Sequence, residues 1–230
     1  AQLKKKLNYF TNIDHEIFFV TSKTNEHKTL KKDYPNSIIL ECSYKSAYNM
    51  IFTLHLGKRL LDSNYRYLLN IAGTENLGFD QSLEKMLPNK ELTIKAYNVL
   101  KRNTDSAIGI ADYSLPFSNV VQNETNKVKE VLVNLYNDKI CSTIFEELFG
   151  FGIYTTPSFW IDLFAIRNLL NYYYLPYDFL DRKEIFSKNL ESSIWYVFWM
   201  LPKLKGGSIY KLSSSDISVE KFEPNKKHVV

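Results

Sequence analysis

The sequence predicts a mixed α/β fold, a mostly parallel central sheet flanked by helices. Three observations predict it. Short apolar runs at 17–20, 37–40 and 65–72 have the length and continuity of buried strands. Helical signals separate them, clearest over 43–62, where Ala47, Met50, Ile51, Leu54 and Leu61 recur at spacings near 3.6. The resulting alternation of strand and helix needs crossover connections, which run right-handed and give parallel neighbours.

The first twelve residues are polar. Ile17-Phe18-Phe19-Val20 is then a continuous apolar run, followed over 21–32 by a loop and a short helix. The Pro35-Asn36 turn signal precedes Ser37-Ile38-Ile39-Leu40, the second strand. The stretch 65–72 is the clearest strand; its alternating Tyr65, Tyr67, Leu69 and Ile71 are interleaved with residues that are mostly apolar too. That pattern predicts a central strand covered on both faces, ending at Gly73. Asp80 can cap a short helix that stops near Leu87-Pro88.

The polar, turn-rich stretch 103–126 predicts a long surface segment, the kind that often serves as a lid, with one strand at 107–110. It contains the glycosylation sequon Asn123-Glu124-Thr125. Val128, Val131, Leu132 and Leu135 mark a helix, and 149–154 a strand. Thr156-Pro157 reads as an N-cap followed by Pro at the first helical position. The helix would carry Phe159, Trp160, Leu163, Phe164 and Leu170. A last strong helix covers 190–201, with Leu190, Ile194, Val197 and Leu201 on its buried face. Glu191 and Trp195, four apart, share a different face. Gly206-Gly207-Ser208 makes a turn, and 209–230 reads as a polar tail on a single domain spanning 1–230.

The chain has 230 residues, enough to bury a core without staples. Its 29 basic and 25 acidic residues leave a net charge of +4, and the Lys4-Lys5-Lys6 and Lys226-Lys227 runs read as solvated ends. No basic stripe runs through the predicted fold, so nucleic acid is not an expected partner. The 16 Tyr, 15 Phe and 3 Trp suit stacking on sugars or bases, although an AT-rich coding sequence accounts for much of that excess. Cys42 and Cys141 have no metal-ligand spacing, and the four His form no His-x-x-x-His pair. No apolar run is long enough to span a bilayer. The chain opens on Ala rather than Met, as a processed form or a fragment does.

Glycine-rich phosphate loops, Gly-x-Ser-x-Gly and His-Glu-x-x-His are all missing from the sequence. So is Asp-x-Asp, which argues against holding a nucleotide through a metal. Two stretches stand out. Tyr67-Leu68-Leu69-Asn70-Ile71-Ala72-Gly73-Thr74-Glu75 runs from a buried strand into polar groups beside a glycine, at the strand end where ligands sit in such sheets. Leu190-Glu191-Ser192-Ser193-Ile194-Trp195 sets a carboxylate beside an aromatic on one helix, an arrangement suited to a general base against a sugar ring. Each also has an ordinary structural reading, as a tight turn and as a solvated first-turn glutamate.

Taken together, these segments resemble the core-2/I-branching β-1,6-N-acetylglucosaminyltransferase family, which also contains peptide-O-xylosyltransferases. The likeness rests on the strand into Asn70-Ile71-Ala72-Gly73-Thr74-Glu75, the amphipathic helix before it, and Phe151-Gly152-Ile153-Tyr154 followed by Ser158-Phe159-Trp160. It extends to Glu191-Ser192-Ser193-Ile194-Trp195 and then Gly206-Gly207-Ser208. The resemblance implies a GT-A-like fold. It also implies inverting, metal-independent transfer of N-acetylglucosamine or xylose from a UDP-sugar to a glycan or glycoprotein hydroxyl, with no cofactor. Glu191 would be the catalytic base, and Asn70, Gly73, Thr74, Glu75 and Trp195 would bind substrate. Lys203, Lys205 and Lys211 are the candidates for the nucleotide diphosphate. The implied location is the Golgi lumen, as the luminal part of a type II membrane protein; a cytoplasmic protein and a non-catalytic binding domain are the alternatives.

Overall fold

A computed structural model describes residues 2–21, 24–41, 50–73, 77–116, 125–136, 152–172 and 188–219. The chain is mixed α/β. Helix α1 (Gln2–Leu7) leads through a short 3-10 turn to β1 (Phe18–Thr21), then α2 (Thr24–Asp33), β2 (Ile38–Glu41), α3 (Met50–Asp62) and β3 (Tyr67–Asn70). Next come α4 (Phe79–Met86), α5 (Lys90–Arg102), β4 (Ala107–Ile110) and β5 (Ser114–Pro116). After α6 (Thr125–Leu135) follow β6 (Gly152–Tyr154), β7 (Phe159–Asp162), α7 (Arg167–Tyr172), α8 (Lys188–Leu204), β8 (Ile209–Leu212) and β9 (Ile217–Val219).

Among these residues the main sheet has the order β3-β7-β4-β8-β9, with β1-β2 and β5-β6 forming separate pairs. The expected mostly parallel sheet is replaced by a mixed one. Only β4-β8 is parallel within it, while β3-β7, β4-β7 and β8-β9 are antiparallel; β1-β2 is parallel. The cause is β7. Both β3 and β4 run against it, so they point the same way as each other and as β8, with one reversed strand between them.

That reversed strand occupies the stretch expected to be a helix after Thr156-Pro157. Phe159-Trp160-Ile161-Asp162 is buried at every position. Its bulky aromatic and β-branched residues favour a strand covered on both faces, and such a short apolar run carries no period that separates the two states. Helix begins only at Arg167. β3 is correspondingly not central. It pairs with β7 alone among the described residues, and three of its four side chains are half-buried. The middle strand of the five is β4, whose four residues are all buried.

Alternation across the sheet divides the core in two. Leu68, Ala107, Phe159, Ile161 and Ile209 face a cluster built by α3, α6, α7 and α8. Ile108, Ile110, Trp160 and Leu212 face a second, made with Phe10, Leu83, Leu92 and Leu100 from the 3-10 turn, α4 and α5. Helix α3 ends as a left-handed cap should. Asn64 takes φ 64°, its N–H bonds Leu61 O at 3.2 Å, and Tyr65 N–H bonds Leu60 O at 3.0 Å.

Two expected tails are built into the structure. Lys6 is buried; its Nζ donates to Leu87 O at 2.5 Å and Pro88 O at 3.1 Å, and pairs with Glu84 at 2.8 Å. It thereby satisfies carbonyls at the end of α4. The expected polar tail begins with two strands of the main sheet, Ile209 and Leu212 being buried. Their alternation is only four residues long and set among serines, so it is easily read as tail. The expected Gly206-Gly207 turn is present, with Gly206 at φ 81° and Gly207 against the Asp105 carbonyl, where no Cβ fits. Among the described residues no helix is long and apolar enough to cross a membrane.

Candidate functional site

The common direction of β3, β4 and β8 gives the sheet a defined carboxyl end. Residues there lie in one row by register: Asn70 opposite Phe159, Phe159 opposite Gly109, and Gly109 opposite Lys211. Asn70 and Lys211 sit two residues beyond Leu68 and Ile209, so they share the face turned to α8. Three strand spacings, about 14 Å, separate them.

Aromatic side chains cover the row between them. Gly109 has no room for a Cβ because the Tyr154 ring lies on its backbone. Tyr154 is buried and donates its hydroxyl to Tyr210 O at 3.1 Å. The Phe159 ring packs against Phe198 at 4.9 Å and Trp195 at 6.1 Å between centroids. Trp195 stacks on Phe198 and donates its indole N–H to Tyr154 O at 2.7 Å. Trp195 therefore belongs to the same end and face as Asn70.

Helix α8 runs away from this end. At its far terminus Gly207 N–H bonds Pro202 O, and Lys205 Nζ donates to Phe164 O, beyond the last residue of β7. Glu191 belongs to the opposite, amino-terminal turn, one turn before Trp195, about 6 Å along the axis. Its side chain lies outside the described structure, as do Thr74 and Glu75 altogether. Lys203 and Lys205 are at the wrong end of the helix to meet Asn70. Burial pushes the Lys205 ammonium below the ordinary lysine value. Lys211 is the candidate cation at the carboxyl end.

The segment after β3 is held by internal bonds. Asn70 Nδ2 donates to Pro157 O. Ser158 Oγ accepts from Ala72 N–H and donates to Ala72 O, both at 3.1 Å, and Ser82 Oγ donates to the same carbonyl at 2.8 Å. A Cβ on Gly73 would stand 2.9 Å from the Phe79 amide, so the residue is glycine because α4 begins against it. Pro157 and Ser158, read from sequence as a helix start, are thus the closure of this end. Thr156 beside them is buried with its hydroxyl unpartnered. The aromatic and β-branched content of Phe159 to Ile161 was the signal in favour of a strand there.

Compared with known proteins, the chain matches no family model, no curated sequence and no solved structure.

At the opposite end of the strands lies a hollow of about 270 Å³. Phe18 and Ile38 open β1 and β2 on one side of it; Arg59, Leu60 and Tyr65 line it from the end of α3 and the approach to β3. Among the described residues, no group of three or more His, Cys, Asp or Glu is placed to hold a metal.

Proposed function

We propose that the chain is a glycosyltransferase that moves N-acetylglucosamine or xylose from a UDP-sugar to a glycan or glycoprotein hydroxyl, by inverting, metal-independent chemistry on a GT-A-like fold. One observation carries the reading: Asn70, Trp195, Lys211 and the first turn of α8, which contains Glu191, share one end of the sheet. Sugar transfer of this kind needs a carboxylate to take the acceptor proton while its oxygen attacks the anomeric carbon. It also needs a cation for the departing diphosphate. Glu191 fills the first role and Lys211 the second, with Trp195 and Asn70 beside the sugar.

The test is release of free UDP from a panel of UDP-sugars with and without acceptor glycans. Glu191→Gln should abolish turnover at an unchanged unfolding midpoint. Full turnover in that variant removes Glu191 from the chemistry, and no turnover with any donor removes the reading.

A second reading, a non-catalytic α/β binding domain, is favoured by the internal bonds of the same groups. The Asn70 amide is given to Pro157 and the Trp195 indole N–H to Tyr154. Saturable binding of a glycan without turnover of any donor supports it.

A further inference from the structure

We infer that the hollow at the amino-terminal ends of β1 and β2 binds a small zwitterion with an apolar side chain, an apolar amino acid being the simplest such ligand. The hollow is set apart from the row of Asn70 and Lys211 and does not depend on the transferase reading. Its volume, about 270 Å³, suits a single small molecule rather than a nucleotide.

Three features select the ligand. The first is an apolar part of a mixed lining. Phe18, Ile38 and Leu60 line the hollow; Phe18 is half-covered and Ile38 is 36% exposed at a strand start. The second is a pair of opposite charges left apart. Arg59 and Glu16 both line the hollow, yet they form no ion pair with each other or with any other described residue. Two opposite charges facing one small space without closing on each other match a molecule carrying both. The guanidinium fork takes a carboxylate in two parallel bonds, and the carboxylate takes an ammonium.

The third is the fixed frame between them. The left-handed cap at Asn64 fixes the turn from α3 into Tyr65, and so sets Arg59, Ser63 and Tyr65 relative to one another. Glu16 and Asp14 both act on the Tyr65 hydroxyl. Burial first, and then these two carboxylates, raise the phenol above its ordinary value. Glu16 and Asp14 together give that side the negative potential an ammonium needs, while a simple anion is repelled there. Arg59 repels a simple amine in the same way.

The experiment titrates the full chain with leucine, 4-methylpentanoate and 3-methylbutylamine, read by calorimetry and by chemical shifts of Arg59 and Tyr65. Leucine should saturate with a Kd of about 1 mM or tighter, and each singly charged analogue should bind at least about tenfold more weakly. Arg59→Gln and Glu16→Gln, both at exposed positions, should each weaken leucine by at least about tenfold at unchanged circular dichroism. No saturable leucine binding overturns the assignment, as does equal binding of the carboxylate or the amine. Retained affinity in both variants overturns it too. Should one variant misfold, the other decides alone.

Discussion

Asp162→Asn should be among the more damaging conservative changes in this protein, and the structure gives the size. Asp162 closes β7 at the end of the sheet remote from Asn70. Its side chain is fully buried. Oδ2 accepts from Arg66 Nη2 at 3.0 Å, Arg66 Nε at 3.3 Å and the Asp105 amide at 3.1 Å; Oδ1 accepts from the Phe164 amide at 3.0 Å. An asparagine oxygen can replace only one of the two acceptors. With that oxygen toward Arg66, the new NH2 faces the Phe164 amide, donor against donor, and a buried N–H is left without a partner. That costs roughly 1–3 kcal/mol, and weakening the charge-assisted bonds to Arg66 adds about 1 kcal/mol. Removing one member of a fully buried pair costs about 3–5 kcal/mol. Arg66 is 38% exposed and can be hydrated, so the lower part of that range applies. The expected loss is about 3 kcal/mol, or roughly 6–12 °C in midpoint for a chain of this size. Urea denaturation followed by tryptophan fluorescence measures it. A loss under about 1 kcal/mol would mean that water or local rearrangement replaces the carboxylate's partners, and the argument from burial would fail.

Three further outcomes are expected. Lys6→Met keeps the apolar stem but removes the bonds to Leu87 O, Pro88 O and Glu84, and should lower stability by about 2 kcal/mol by urea titration. Gly207→Ala pushes a methyl into the Asp105 carbonyl and should cost about 2–3 kcal/mol, whereas Gly78→Ala, with open space around it, should cost under about 0.5 kcal/mol by the same measurement. The Lys95 ammonium, and then the Ile217 amide, hold the Asp216 carboxyl below its ordinary value. A depressed carboxyl stabilises the fold above its unfolded-state value and loses that effect as pH falls through the folded one. Lys95→Ala should therefore move the Asp216 titration upward by NMR, and high salt should do the same in the parent protein.

The strands that were legible in the sequence are those whose signal is a bounded apolar run: β3 and β4 lie within the stretches read as strands, and β1 and β2 overlap theirs with a shift of one residue. Helix α8 was legible because Ile194, Val197 and Leu201 keep the helical period, and all three are buried. Position within the sheet was not legible. Nothing local to residues 67–70 says whether a partner lies on one side or two, and Tyr67, Leu69 and Asn70 are half-buried rather than enclosed. Helix α5 passed unread although Asn89 caps it, accepting from Leu92 N–H at 2.9 Å, and Leu92, Ala96 and Leu100 follow at helical spacing. At the candidate site, Asn70 and Trp195 could be read as residues but not as bonded groups, because their partners Pro157 and Tyr154 come from a segment 40 to 90 positions away.

The reversal of β7 shapes what the carboxyl end of the sheet can do. In a run of parallel strands, each outgoing loop is free to line a crevice there. Here an incoming strand stands between β3 and β4, so the segment Thr156 to Ser158 arrives at that end from elsewhere and bonds the residues leaving β3. The segment gains rigidity: Ala72 is held on both its amide and its carbonyl, and Asn70 by its side chain. The same bonds withdraw these groups from solvent. A ligand at this end would therefore meet a preorganised rim and the half-buried Trp195, with Tyr154 and Phe159 enclosed beneath, rather than free polar side chains from β3. Any chemistry there would depend on what stands beside that rim, and Lys211 and the first turn of α8 are described elements at this end. This is why the transferase and the binding-domain readings part on Glu191 and not on Asn70. Loss of Asn70 disturbs the rim in either case, whereas the transferase reading alone assigns Glu191 a part in turnover.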